Sequence, residues 1–127
     1  MNQKSLGTVV LLPLAAAGAT VTGTGKDIGA GYGNVGRREF RVHCAGYLDT
    51  NTTSIVFAVQ ENTTSASSGF AAVGGGTTQA TLTTTGSTDI FCSATKRYLR
   101  VIATPAGTTA NSVQYAVAFL ENRETTS

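Results

Sequence analysis

Residues 113–120 read Val113-Gln114-Tyr115-Ala116-Val117-Ala118-Phe119-Leu120, a stretch in which Val, Tyr, Val and Phe alternate with Gln, Ala, Ala and Leu. Successive side chains take opposite faces only in an extended chain, so a period of two predicts a strand, whereas a helix would space its apolar residues by three and four. The same period recurs outward from this stretch. Phe40, Val42 and Cys44 alternate with Arg41 and His43; Ile55, Phe57 and Val59 lie in a run closed by Gln60-Glu61-Asn62; Tyr98–Ala103 forms a fourth run. Residues 69–73, 79–84 and 89–92 are weaker strand candidates in which Thr supplies β-branching. Turn-forming residues cluster between the runs at 23–36, 49–54, 62–69, 74–78, 85–88 and 105–112. Seven or eight short strands at such intervals, with no sustained helical stripe, predict an all-β chain: an antiparallel β-sandwich, with a jelly roll as one form of it.

The chain has 127 residues, 15 of them Gly, with no Trp and only 13% charged. That is one domain's worth of sequence, long enough to bury a core without a metal or a disulfide framework. Nine basic against seven acidic residues leave a net charge of +2. No polyanion-binding field arises from that balance, so neither nucleic acid nor a membrane surface is expected as a partner. Thr outnumbers even Gly, which makes most of the polar surface uncharged hydroxyl. Disorder, coiled coil and a nucleic-acid-binding tail are excluded by this composition.

Near the N-terminus, Leu6-Gly7-Thr8-Val9-Val10-Leu11-Leu12-Pro13-Leu14 followed by Ala17-Gly18-Ala19 imitates a secretory signal with a small-x-small site. The run is too short, and too broken by Pro13, to span a bilayer. It reads as an extended N-terminal arm or first strand over 1–18, ahead of a β-sandwich domain over 19–127. Its apolar residues Val9, Val10, Leu11, Leu12 and Leu14 need a cover, from this domain's core or from a neighbouring subunit, and are interface candidates.

Chemistry-bearing motifs are sparse. Gly31-Tyr32-Gly33-Asn34-Val35-Gly36 matches the dinucleotide fingerprint in letters, but a Thr/Gly-rich segment precedes it and a strand pattern follows, so no helix N-terminus faces a pyrophosphate. His43 alternates with apolar neighbours and takes the polar face, with no identifiable nucleophile beside it. Asp49-Thr50-Asn51-Thr52-Thr53 begins like a calcium loop without its Gly and distal Glu, and reads as a turn. Asn51-Thr52-Thr53 and Asn62-Thr63-Thr64 are glycosylation sequons of a kind that Thr-rich loops produce by chance. Cys44 and Cys92 lack metal-ligand spacing and lie at strand positions that hold apolar residues, which predicts separate buried thiols. The reading is therefore of a non-enzyme with no cofactor and no metal. Positive charge gathers at Arg37, Arg38 and Arg41 and at Arg97 beside Lys96 and Arg100, and the first three with Arg97 are candidate anchors to an acidic protein surface.

An Asp-Thr turn, then Ile55-Val56-Phe57-Ala58-Val59-Gln60-Glu61-Asn62, then Gly69-Phe70 with small residues, a Thr-rich segment, Lys96–Thr104, a Gly-Thr turn and Val113–Phe119 follow one another over residues 37–120. This order resembles small structural proteins of tailed bacteriophages, of the capsid decoration or cement kind. Its most specific parts are residues 96–104 and 113–119. The resemblance implies a β-rich virion protein on the capsid exterior, made in the bacterial host cytoplasm, that forms homo-oligomers, with a trimer favoured, and bridges subunits of the major capsid protein. A phage tail or fibre subunit would share these features. A carbohydrate-binding β-sandwich module would need exposed aromatics, and the strand pattern sends most of the nine aromatics inward.

Overall fold

The computed structural model describes residues 8–28, 38–64, 68–73, 75–76, 78–94, 96–109 and 111–121. The strands in chain order are β1 (Thr8–Ala17), β2 (Val21–Thr22), β3 (Lys26–Asp27), β4 (Arg38–Tyr47), β5 (Thr52–Asn62), β6 (Ala71–Ala72), β7 (Gly75–Gly76), β8 (Gln79–Leu82), β9 (Gly86–Ala94), β10 (Tyr98–Gly107) and β11 (Ser112–Glu121). No helix occurs among the described residues. All pairings are antiparallel and build two sheets: β1-β11-β4-β9-β7, and β2-β10-β5-β6 with β3 also on β10 and β8 also on β5. The chain is a β-sandwich. With β2 and β3 taken as one strand and the two-residue β6 and β7 set aside, the order is first-eighth-third-sixth over second-seventh-fourth-fifth, which is jelly-roll connectivity.

The core lies between the sheets. From β4 and β9 it receives Phe40, Val42, Ile90 and Cys92, and from β5 and β10 Phe57, Val59, Leu99 and Val101, all buried. Phe57 is wholly enclosed, and burying a side chain of this size contributes about 1.5–3 kcal/mol. Segment 1–18 contributes β1, an edge strand paired along its length with β11, with Leu11 and Leu12 fully buried in this same core. Of the two readings of 1–18, arm or first strand, residues Thr8–Ala17 take the second.

Several boundaries differ from the sequence reading. The Gly-rich stretch after residue 18 holds β2 and β3, which lie along β10. There the Gly23 amide donates to the Val101 carbonyl at 2.8 Å, and a Cβ on Gly23 would run into the carbonyl oxygen of Leu11. Only glycine lets the backbones of β1, β10 and this segment approach so closely. Pro105 and Gly86, expected in turns, belong to β10 and β9, where pairing with β5 and β4 overrides local turn preference.

The stretch at 113–120 is a strand, but its larger side chains do not fill the core. Gln114, Ala116 and Ala118 are fully buried, while Val113, Tyr115 and Val117 are half-buried on the outside. Register supplies the reason. Ala116 lies between Leu12 of β1 and Cys44 of β4, and Ala118 between Val9 and Val42. Larger residues from both flanking strands fill the interior there, so the central strand turns alanine inward.

Candidate interaction surface

Residues directly opposite one another in antiparallel strands share a face. On the outward face of the five-stranded sheet this places Val10, Val117, His43 and Asp89 in one row across β1, β11, β4 and β9. Tyr115, Ala45 and Ser87 form the next row, and Tyr47 follows opposite Val113. On the other side Arg41 pairs with Phe91. Three large apolar or aromatic side chains on this face stand well into solvent, Val10 46% exposed, Tyr47 57% and Phe91 61%, and Leu14, in the irregular part of β1 between Leu12 and Ala15, is 69% exposed. Half-buried Val113, Tyr115 and Val117 lie between Val10 and Tyr47, while His43, Asp89 and Arg41 separate them from Phe91, so the face joins apolar and aromatic side chains to a polar centre.

Polar groups within this face are partnered in the chain. His43 Nδ1 donates to Asp89 Oδ1 at 2.8 Å, and the Tyr115 ring centroid lies 6.3 Å from that of His43 at 54°. His43 does take the outward face, and its neighbour is a carboxylate.

The outward face of the six-stranded sheet is built differently. Arg97, just before β10, makes a two-pronged ion pair with Asp27 of β3, Nε to Oδ1 at 2.9 Å and Nη2 to Oδ2 at 2.6 Å. That hydrogen bonding raises the Arg97 pKa further, and the guanidinium also lies 5.3 Å from the Tyr98 ring centroid. Arg100 Nε donates to Gln60 Oε1 at 2.8 Å while its guanidinium covers Phe70 at 4.2 Å.

The basic candidates do not share a face. Arg41 is on the five-stranded sheet and Arg97 beside the six-stranded one. Arg38 opens β4 opposite Ala94, and Arg37 lies outside the described residues, as does the 31–36 glycine loop. Of the apolar candidates, Leu11 and Leu12 are core, Val9 packs partly against it, and Val10 and Leu14 are exposed. Sequence reading missed Tyr47, Phe91, Tyr115 and Val117. Phe91 carried a usable signal: it alternates with Ile90 and Cys92, so a strand that buries those two must turn Phe91 out. The expected inward placement of most aromatics is corrected, since among those whose side chains are described only Phe40 and Phe57 are buried. The other rings lie on outward faces or in loops, where core-facing parity does not reach them.

The remaining motifs are structural. Asp49 Oδ1 accepts hydrogen bonds from Asn51 N at 3.0 Å and Thr52 Oγ1 at 2.6 Å, which closes a turn and holds the Asp49 pKa below its ordinary value, the Thr52 bond foremost. Asn62 is buried, donating from Nδ2 to the Ser68 carbonyl and accepting from Thr63 N. Cys44 and Cys92 are buried free thiols, each pushed up to about 12, chiefly by desolvation. Among the described residues no group of three or more His, Cys, Asp or Glu could hold a metal ion, and no helix is long and apolar enough to cross a membrane.

Compared with known families and with curated proteins, the chain matches no family model and no curated sequence.

Proposed function

We propose that this chain is a non-enzymatic virion structural protein that decorates the capsid exterior of a tailed bacteriophage as a homo-oligomer and stabilises the shell by bridging major capsid subunits. The observation that carries the reading is the outward face of the five-stranded sheet, where Val10, Tyr47 and Phe91 present exposed apolar and aromatic side chains on long paired strands. A molecule with such a face works by contact, since aromatic and aliphatic side chains in this setting gain by leaving water. The resemblance to phage decoration proteins supports the setting, and its two most specific segments are β10 and β11, interior strands of the two sheets. Repetition over a shell multiplies weak contacts, because the second and third contacts of an oligomer become intramolecular.

Mass spectrometry of separated heads and tails from purified virions tests this. The protein is expected with the heads, and heads lacking it should rupture at lower temperature, with resistance restored by added protein. Recovery with tails would replace the proposal by a tail or fibre subunit, and equal resistance with and without the protein would remove the stabilising role. The exposed rings of Tyr47 and Phe91 favour a carbohydrate-binding module as the second reading, since an exposed ring offers an apolar stacking platform. Saturable glycan binding lost in Tyr47→Ala would select it.

A further inference from the structure

We infer that the outward face of the five-stranded sheet is covered by a second copy of this chain. The inference rests on the apolar face that also carries the functional proposal, and it names the occupant.

Three observations point to self-association through the face. The first is area. β1, β11 and β4 have ten residues each and β9 has nine. At about 3.4 Å per residue and about 4.8 Å between strands, the four span about 34 Å by about 19 Å, or about 650 Å². Two such faces together remove about 1,300 Å² from water, within the range of about 1,200–2,000 Å² for stable specific interfaces. The second is chemistry. Val10, Tyr47, Phe91, Tyr115 and Val117 are of the apolar and aromatic kinds that fill interface centres, and the His43–Asp89 hydrogen bond satisfies part of the polarity among them, with Arg41 opposite Phe91. The third is the sheet edge. β1 carries Pro13 and two register shifts, between Val10 and Leu12 and between Leu12 and Ala15, while the opposite edge is the two-residue β7. A proline and bulges spoil β1 as a pairing template, so on that side copies meet more readily through the face than by continuing the sheet, whereas β7 covers only Cys92 and Ser93 of the β9 edge.

The test is the mass of the full chain in solution, by sedimentation across a wide concentration range. Wild type is expected at twice the 13.0 kDa chain mass or a higher multiple. Tyr47→Glu and Phe91→Glu, each at an exposed position, should raise the dissociation constant by about 10-fold or more, as loss of an aromatic anchor does. Their far-ultraviolet circular dichroism should remain that of wild type, and Tyr47→Ser and Phe91→Ser supply milder versions if the charged forms fail to fold. Thr81→Glu, exposed on β8 of the other sheet, should leave the mass unchanged. A wild-type monomer at every concentration overturns the inference, as does an assembly that persists unaltered in both five-stranded-sheet variants. The outcome is independent of head or tail placement: an assembly dispersed by Tyr47→Glu stands even if the protein is absent from heads, and a monomer on heads removes this inference and the homo-oligomer of the proposed function while leaving decoration itself standing.

Discussion

On the five-stranded sheet, β1, β11 and β4 turn out Val10, Val117, Tyr115 and Tyr47 beside Arg41 and His43; on the six-stranded sheet, β10 and β5 turn out Arg100, Thr104 and Gln60 beside Tyr98, Ile102 and Val56. Both faces sit on the same closely packed core, so the contrast is one of surface chemistry. Arg97 is held by Asp27, and Arg100 by Gln60 and Phe70, which gives the second face its polar partners within the chain. The first face carries exposed Val10, Tyr47 and Phe91 around the His43–Asp89 pair, whereas the large apolar groups of the second are at most half-exposed. A fold can spend its apolar residues outside the core in this way only when the interior is already filled, and here alanine on β11 fits between larger neighbours on β1 and β4. What the difference teaches is that the apolar half of an alternating strand need not be the core half.

The largest expected effect breaks the contrast along β1 itself. Leu11→Ala removes a fully buried side chain and should cost about 2–5 kcal/mol in denaturant unfolding. Three positions on, Leu14→Ala, measured at dilution, should change stability by less than about 0.5 kcal/mol. Equal losses at the two positions would mean that the outward side of β1 is not free.

Next in size is an alkaline loss of stability. Cys44 and Cys92 are raised to about 12 by burial against an ordinary value of 9.0. Between those values the unfolded chain releases thiol protons that the folded chain keeps, so their contribution is intact below about pH 9 and falls as pH rises toward 12. Cys44→Ala/Cys92→Ala should flatten this part of the pH profile. In the native protein both thiols should resist a thiol reagent at neutral pH and react after denaturation without reductant; a need for reductant would contradict the free thiols.

On the six-stranded face the effects are smaller. Arg100→Ala should cost about 0.5–1 kcal/mol through the lost contact with Phe70, and should leave the assembled mass as it was. Arg97→Ala should lower the melting temperature slightly at low salt, with the difference fading at high salt as the exposed pair with Asp27 is screened. Dispersal of the assembly by either change would invert the roles assigned to the two faces.

Much of the fold was legible in the sequence, because period-two runs at Phe40–Cys44, Ile55–Val59 and Tyr98–Ala103 are local signals of extended chain. The two-residue strands β2 and β3 were not, since they exist only through pairing with β10. The surface was harder to read. Val113-Tyr115-Val117 outweighs Gln114-Ala116-Ala118 in apolar bulk, and only the register with Leu12, Val42 and Cys44 decides which set faces in. The arginines looked like one cluster because sequence cannot say that β4 and β10 belong to different sheets.

The contrast between the faces is tested most directly by oxidative footprinting of the full chain, assembled and diluted, with modification read at individual rings. The account predicts that Tyr47 and Phe91 are protected in the assembly and labelled on dilution, while Tyr98 and Phe70 label alike in both. Equal labelling of Tyr47 and Phe91 in the two states, or protection confined to Tyr98 and Phe70, would contradict it.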